Sequence, residues 1–139
     1  MFTKILHAND GSERAFGAFA AALDLAKRFG AQLHMICVEE MPSFPTTIDE
    51  LVEEKAEADH LYGPVVQRAR ALAQAQAVPL AAHVVPGHAV QRIVKFVQDE
   101  RCDLLVIGFM GHSALYDRVI GGTADRLVRL APCAVLVVK

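Results

Sequence analysis

The chain has 139 residues, of which 53% are apolar and 22% are charged, and its formal net charge is −2. This length suits one domain spanning residues 1–139, and the composition is that of a globular protein with little room for disorder. A pI near 6.3 argues against a nucleic-acid-binding protein, which normally presents a basic face. We therefore expect a folded domain that binds no nucleic acid.

The first third of the chain predicts two strands around a helix. Lys4 to Asn9 is an apolar extended segment that ends at Asp10-Gly11, and Gln32 to Val38 is the second such segment. Between them, Ser12 is the expected N-cap of a helix that runs to about Phe29 and ends at Gly30. The apolar face of this helix is expected to comprise Phe16, Phe19, Ala20, Leu23 and Ala26.

A loop over Glu39 to Thr46, containing two prolines, precedes a long helical pattern. Thr47 and Glu50 have the spacing of a capping box, which opens a helix at Ile48. Gly63-Pro64 interrupts the pattern, and because proline disrupts a helix interior, we expect a kink or a restart there. The helical pattern then continues to about Gln76.

The rest of the chain continues the alternation of strands and helices. The predicted elements are a strand over Val78 to Val85, a turn at Pro86-Gly87, a helix over about His88 to Arg101, a strand over Leu104 to Ile107, a helix over Thr123 to Ala131 and a strand over Ala134 to Val138. This order predicts a doubly wound α/β fold, with a parallel sheet, right-handed crossovers and helices on both faces.

Neither secretion, membrane insertion nor a zinc site is indicated. The segment MFTKILHAND lacks the long apolar stretch of a signal peptide, and the longest run without Asp, Glu, Lys or Arg, Ala71 to Gln91, contains two prolines. The three cysteines form no CxxC pair, and the six histidines show no HExxH or other metal-ligand spacing. We expect a soluble cytoplasmic protein without membrane association, with reduced thiols and with Cys37 inside a strand.

A glycine-rich segment, GFMGHSALYDRVIGGT, runs from Gly108 to Thr123 and lies between a predicted buried strand and a predicted helix. Its four glycines would let phosphate oxygens approach the backbone, and a helix N-terminus offers unpaired N–H groups to an anion. The glycines alone leave plain turns and a helix entry equally open. A GxxG pair also occurs in RNA-binding loops, although the charge balance disfavours RNA.

Asp10, after the first strand, is a candidate acceptor for a ribose hydroxyl or an anchor for magnesium, with a turn or cap role as the alternative. Ligands of open α/β sheets bind at the carboxyl ends of the strands, where the strand order reverses. A site that uses Asp10 and Gly108 together therefore requires the first and fourth strands to be neighbours. The residues alone do not establish that adjacency.

These residues match a known pattern. The segment resembles the Gly-x2-Gly-x9-Gly-Ser/Thr nucleotide motif of the universal stress protein family, at Gly108, Gly111 and Gly121. KILHANDGSERA, DLLVIG and ADRLVRLAPCAVLVVK are similar to the family's first strand and turn, fourth strand and C-terminal helix and strand, so the resemblance covers essentially the whole chain. It implies a flavodoxin-like sheet of order 3-2-1-4-5. It also implies ATP, or ADP or AMP, with or without magnesium, between strands one and four.

The resemblance further implies which residues surround the nucleotide. Asp10 would hold the ribose, and Ala8 and Val38 would contact the adenine. Ile107 and Gly108 would flank the ribose and phosphates. The remaining implied contacts, around the phosphates, are Met110, Gly111, His112, Gly121, Gly122 and Thr123.

Two positions depart from the family pattern. Gly122 stands where Ser or Thr usually follows the third glycine, and Thr123 comes one place later. Asn9 replaces the usual aliphatic residue before the aspartate, which leads us to expect a polar amide beside the site. Neither departure removes the backbone groups that would face phosphates.

The sequence favours nucleotide binding in a regulatory stress-response role over dedicated catalysis. No Walker-type GK[ST] or GxSxG motif occurs, no lysine lies between Lys95 and Lys139, and Ser113 beside His112 is no catalytic pair by adjacency alone. Two alternatives stay open. One is a slow ATPase or autophosphorylating enzyme with Asp10 holding magnesium and His112 near the γ-phosphate, and the other is an interaction protein that binds no nucleotide.

The last strand bears on assembly. AVLVV is apolar and would lie at the sheet edge in the order above, and exposed apolar edges favour pairing. The resemblance implies a homodimer through Val135 to Val138. The alternative is that a loop covers this edge.

Overall fold

The computed structural model describes residues 1–40, 47–109 and 122–139. Its elements in chain order are β1 (Lys4–Ala8), α1 (Glu13–Phe29), β2 (Gln32–Glu40), α2 (Ile48–Ala75), β3 (Leu80–Gly87), α3 (Ala89–Glu100), β4 (Leu104–Gly108), α4 (Thr123–Leu130) and β5 (Ala134–Val138). The alternation expected from the sequence is confirmed, with differences at several boundaries.

The five strands form one parallel sheet in the order β3-β2-β1-β4-β5, which confirms the flavodoxin-like topology. β1 pairs with β2 on one side and with β4 on the other, so the predicted adjacency of the first and fourth strands is present. Apolar residues from α1 and α2 pack on one face of the sheet, and those from α3 and α4 pack on the other. Both faces are therefore covered, as the continuous apolar stretch of β4 indicated.

The predicted helix caps are confirmed. The Ser12 hydroxyl accepts a hydrogen bond from the Ala15 N–H at 3.1 Å, and Gly30 ends α1 with a φ of 62°. Both bonds of the Thr47–Glu50 capping box are present at the start of α2. On α1 the prediction was wrong at one position, since Ala20 is exposed and Ala22 belongs to the buried face.

We expected a kink or a restart at Gly63-Pro64. The restart was wrong, since α2 is a single helix of 28 residues with Pro64 inside it. The residue before a proline is normally driven out of the helical region by a clash with its Cβ, and Gly63 has none. Tyr62 and Val65 on either side are buried against the sheet. Packing on both sides therefore offsets the hydrogen bond that the proline removes.

Pro86 and Gly87 were wrongly predicted as a turn and instead form the end of β3, paired with Glu39 and Glu40 of β2. Because β3 is an edge strand, the missing N–H of Pro86 breaks no ladder on its outer side. The same pairing extends β2 two residues beyond the predicted Val38. Cys37 lies buried inside β2, as expected.

Candidate functional site

The strand order reverses between β1 and β4: β2 and β3 lie on one side of β1, and β4 and β5 lie on the other. β1 and β2 are joined through α1 on one side of this point, and β4 leads to β5 on the other. In open α/β sheets this is where ligands bind, outside the carboxyl ends of the strands. A ligand of this sheet would therefore be expected beside the segments that follow Ala8 and Ile107.

Side chains hold the loop after β1 in a fixed shape. The Asn9 N–H donates to the Ile36 carbonyl at 3.0 Å, and Asn9 Oδ1 accepts from the Gly11 N–H at 2.8 Å. Asp10 Oδ1 accepts from the Ser12 N–H at 3.0 Å. Gly11 has a φ of 86°, which favours glycine. The half-buried Asp10 is thus presented by a short, internally bonded turn directly before α1.

Asn9 does not project a free amide beside this turn. It is 3% exposed, its oxygen is bonded to Gly11, and its nitrogen donates to Met35 Sδ at 3.7 Å. The polar residue that replaces the family's aliphatic one therefore shapes the backbone that carries Asp10.

Gly108 lies at the end of β4, where the first turn of α1 crosses the strand. A Cβ at this position would be 3.1 Å from the Arg14 carbonyl oxygen and 3.2 Å from the Arg14 carbonyl carbon. Backbone atoms cannot yield as a flexible side chain can. The close packing of α1 against β4 therefore favours glycine here, independently of any phosphate.

Three expected contact residues lie together in one apolar cluster on the face covered by α3 and α4. Val38 and Ile107 are buried in it, and Ala8 packs against it. They come from β2, β4 and β1, close to the carboxyl ends of these strands. The arrangement places apolar side chains at the strand ends, where the partly exposed Ala8 is open to contact with an aromatic base.

The N-terminus of α4 adjoins the same cluster. Gly122 is the N-cap, its carbonyl accepts from the Arg126 N–H at 3.0 Å, and Thr123 is the first, exposed residue of the helix. Ala124 packs against the cluster that contains Ile107. The first N–H groups of a helix have no partner within it, so this end is suited to an anion.

Four of the expected site residues, Met110, Gly111, His112 and Gly121, lie outside the described residues, as does Ser113. The prediction that they surround phosphates stays a prediction. The described part of the chain brings together the ends of β1, β2 and β4 and the start of α4.

On the other face of the sheet, the titratable groups near Asp10 are held uncharged at neutral pH. Burial lowers the pKa of His7 to about 4, against the smaller opposing effects of its bond to the Val106 carbonyl and of Asp10. Burial raises the pKa of Cys37 to about 12 and that of Tyr62 to about 12. These three side chains therefore supply neither a positive charge nor a nucleophile beside Asp10.

Sequence reasoning missed two buried groups at the end of β2. Glu39 is 5% exposed, and burial, together with a hydrogen bond to Asp59, raises the pKa of its carboxyl. The Tyr62 hydroxyl donates to the Val38 carbonyl at 3.2 Å and so ties α2 to the strand end. Glu39 directly follows the predicted strand Gln32 to Val38, as Asp10 follows Lys4 to Asn9, and that parallel could have drawn attention to it.

In residues 1–40, 47–109 and 122–139, no group of three or more His, Cys, Asp or Glu side chains is arranged to hold a metal ion. Within the same residues, no helix combines the length and apolar character needed to cross a membrane.

Comparison with known proteins agrees with this architecture. The sequence profile described as "Universal stress protein family" matches residues 1–139. A universal stress protein of Thermus aquaticus is 32% identical over 139 residues, which cover 100% of both chains.

Solved structures show the same fold. The universal stress protein UspA from Lactobacillus plantarum superposes with a TM-score of 0.86 at 29% identity, covering 99% of this chain and 98% of that one. A universal stress protein in complex with cAMP gives a TM-score of 0.79 at 22% identity, over 99% and 97% of the two chains. One from Archaeoglobus fulgidus in complex with dAMP gives 0.67 at 20% identity, over 100% and 98%. The profile match over the full chain, the full-length relative and the shared fold lead to one conclusion: the chain belongs to the universal stress protein family.

Proposed function

We propose that this protein binds an adenine nucleotide at the carboxyl ends of β1 and β4, and that it acts in the cytoplasm as a regulatory protein of the stress response. One observation carries the proposal. β1 and β4 are neighbours at the point where the strand order reverses. The hydrogen-bonded Asp10 turn after β1 and Gly108 at the end of β4 therefore lie at the same edge of the sheet.

Each part of a nucleotide has a chemically suited partner there. The apolar side chains of Ala8, Val38 and Ile107 suit adenine, and the Asp10 carboxylate suits a ribose hydroxyl. The N-terminus of α4, with Gly122 and Thr123, suits phosphate oxygens. We propose that Met110, Gly111, His112 and Gly121 complete the phosphate contacts.

The relatives lend support of a general kind. Two proteins with this fold were solved in complex with cAMP and dAMP, which are both adenine nucleotides. ATP, ADP and AMP, with or without magnesium, are therefore the ligands to compare on this chain.

Isothermal titration calorimetry with each nucleotide tests the proposal. We expect binding by the wild-type protein, loss of binding in Gly121→Val, and at least about tenfold weaker binding in Asp10→Asn, since a hydrogen bond with a charged group contributes about 1.5–3 kcal/mol. Asp10→Asn keeps a side-chain oxygen for the Ser12 N–H, so its fold should persist. Gly17→Ala, in an open position on α1, is the matched control and should bind normally.

Absence of binding by the wild-type protein at millimolar concentrations of all three nucleotides would reject the proposal in favour of an interaction protein. Catalysis is a separate question. Phosphate release above the uncatalysed rate, lost in Asp10→Asn or His112→Gln, would identify an enzyme.

We further propose a homodimer through β5. This strand is an edge of the described sheet, and Leu136 on it is 37% exposed. On the neighbouring α4, Val128 and Leu130 are more than half exposed. Apolar side chains and open strand hydrogen bonds together favour association along this edge.

A further inference from the structure

Two histidines that are 49 residues apart in sequence meet on the surface of the sheet. His34 on β2 is paired with Ala81 of β3, and His83 lies two residues further along β3, so both side chains project from the same face. His34 Nδ1 and His83 Nε2 are 3.0 Å apart, and the two ring planes differ by 16°. One proton at most fits between these nitrogens.

An aromatic ring from α3 supports the pair. The Phe96 ring centroid is 5.6 Å from that of His34 and 4.8 Å from that of His83. Both histidines remain partly exposed, so small solutes can reach them. The pair is thus held by two strands and a helix, and it is accessible from solvent.

The two charged side chains that act on His34 have opposite charges. Lys4 and Glu100 form an ion pair with a nitrogen–oxygen distance of 3.8 Å, and both act on His34. Burial and the neighbouring His83 lower the pKa of His34. A neutral imidazole is the form that binds metal ions.

We propose that His34 and His83 form a binding site for a divalent transition-metal ion of the zinc class. Two imidazole nitrogens bound to one zinc ion at about 2.0–2.1 Å in tetrahedral geometry lie about 3.3 Å apart. The observed 3.0 Å therefore needs a small widening, and both rings must also tilt so that their lone pairs converge on the ion that replaces the shared proton. Across the described ranges no third His, Cys, Asp or Glu completes a cluster with them, so water fills the other positions.

This site is separate from the proposed nucleotide site. His34 is the third residue of β2, towards the amino end of that strand, whereas the nucleotide is proposed at the carboxyl ends. Metal binding here would link β2 to the edge strand β3 and would stabilise the folded state. Its test can fail or succeed independently of nucleotide binding.

Calorimetric titration of the full chain with Zn²⁺ at pH 7.5, in a buffer that does not chelate zinc, provides the test. We expect one site per chain that weakens at least about tenfold in His34→Gln and in His83→Gln, because even the loss of an outer-shell partner costs 10–100-fold in metal affinity. His88→Gln and His60→Gln are matched controls, and the first also removes the His88–Glu40 pair. Both controls should bind zinc as the wild type does.

A second measurement needs no substitution in the pair. In NMR spectra of the wild-type protein, zinc should shift the ring signals of His34 and His83 and leave those of His60 and His88 unchanged. The proposal is overturned if the protein binds no zinc at millimolar concentration, if zinc binds with unchanged affinity in folded His34→Gln or His83→Gln, or if only other histidine signals respond. If the signals of His34 and His83 respond to pH but not to zinc, the two rings only share a hydrogen bond, and the proposal is also overturned.

Discussion

Gly11 and Gly108 satisfy different physical requirements on either side of the proposed site. Gly11 needs a φ of 86°, and a Cβ there would also come within 3.1 Å of Val65 on α2. Gly108 needs room for the backbone of α1. Packing alone therefore favours glycine at the start of the glycine-rich segment, and a role in phosphate binding has to be argued from the residues that follow it.

Replacing Gly108 by alanine should reduce the free energy of unfolding by about 1–3 kcal/mol, because the new methyl group would overpack the α1–β4 contact. Gly17→Ala, where no atom lies within 4 Å of the new Cβ, should instead stabilise α1 by about 0.5–1 kcal/mol. Urea unfolding of the two variants measures the difference. Equal stabilities would show that α1 can move away from β4 without cost.

His7 is buried and uncharged in the folded protein. Since the Val106 carbonyl can only accept, Nδ1 carries the proton, and Nε2 has no partner among the described atoms. Protonation in place would bury a charge beside the Phe19 ring. The unfolded chain, by contrast, protonates His7 near its ordinary pKa of 6.5.

The unfolded state therefore binds more protons than the folded state between pH 6.5 and about 4. Stability should fall as the pH drops through this window, by on the order of 3 kcal/mol from His7, and should change little from this group below it. Urea unfolding of the wild type and His7→Asn across this range measures the effect. The variant, which keeps a donor near Val106, should show a flatter profile, and parallel profiles would exclude His7 as the cause.

Among the elements, α2 departs most from what its sequence alone suggests. Pro64 cannot donate to the His60 carbonyl, yet the helix runs through it because Tyr62, Val65, Ala69 and Ala73 are buried along one side. Packing energy thus outweighs local preference in this helix.

Pro64→Ala should restore the missing donor and raise the free energy of unfolding by about 1–2 kcal/mol, since the helical gain exceeds the greater freedom of the unfolded chain. Gln67→Ala, at an exposed position one turn later, should change stability by less than about 0.5 kcal/mol. Thermal unfolding compares them. A destabilised Pro64→Ala would mean that the proline is required for the shape of α2.

Structural features that depend only on residues close together in sequence were predicted well. The Ser12 and Thr47 caps and the β5 segment could be predicted from neighbouring residues alone. Pro86 could not, because its place in β3 depends on the partner strand Glu39–Glu40, far away in sequence. For the same reason the register that brings His34 to His83 was beyond sequence reasoning.

At the scale of the whole molecule, the sheet has two different edges. β5 at one edge carries the exposed Leu136, and β3 at the other carries Val84, which is exposed to a similar extent, 38% against 37%. β3 also contains Pro86, which interrupts any further pairing on its outer side. Association is therefore expected along β5.

Leu136→Lys should shift the protein from dimer to monomer in sedimentation velocity, because the charge would be buried against a second copy. Val84→Lys, with the same change at the opposite edge, should leave the dimer intact. A monomeric wild type at micromolar concentration, or equal effects of both substitutions, would rule out the β5 interface.

The candidate site was predictable only in part. Asp10 and the start of α4 were candidates from the residues themselves, whereas Ala8, Val38 and Ile107 came from the family resemblance. The sheet order then brought their strand ends together. The residues alone could not order the strands, because adjacency in a parallel sheet depends on crossovers between distant segments. That Asn9 and Gly108 serve the local backbone became evident only from their neighbours in space.

The most direct test of the central claim is an NMR titration of the wild-type protein with ATP, followed through its backbone amide signals. Nucleotide binding between β1 and β4 predicts saturable shifts at Asp10, Gly11, Gly108 and Thr123, and little change at His83 and Val84 on the far edge. An unchanged spectrum at millimolar ATP, or shifts confined to residues away from these strand ends, would contradict the account.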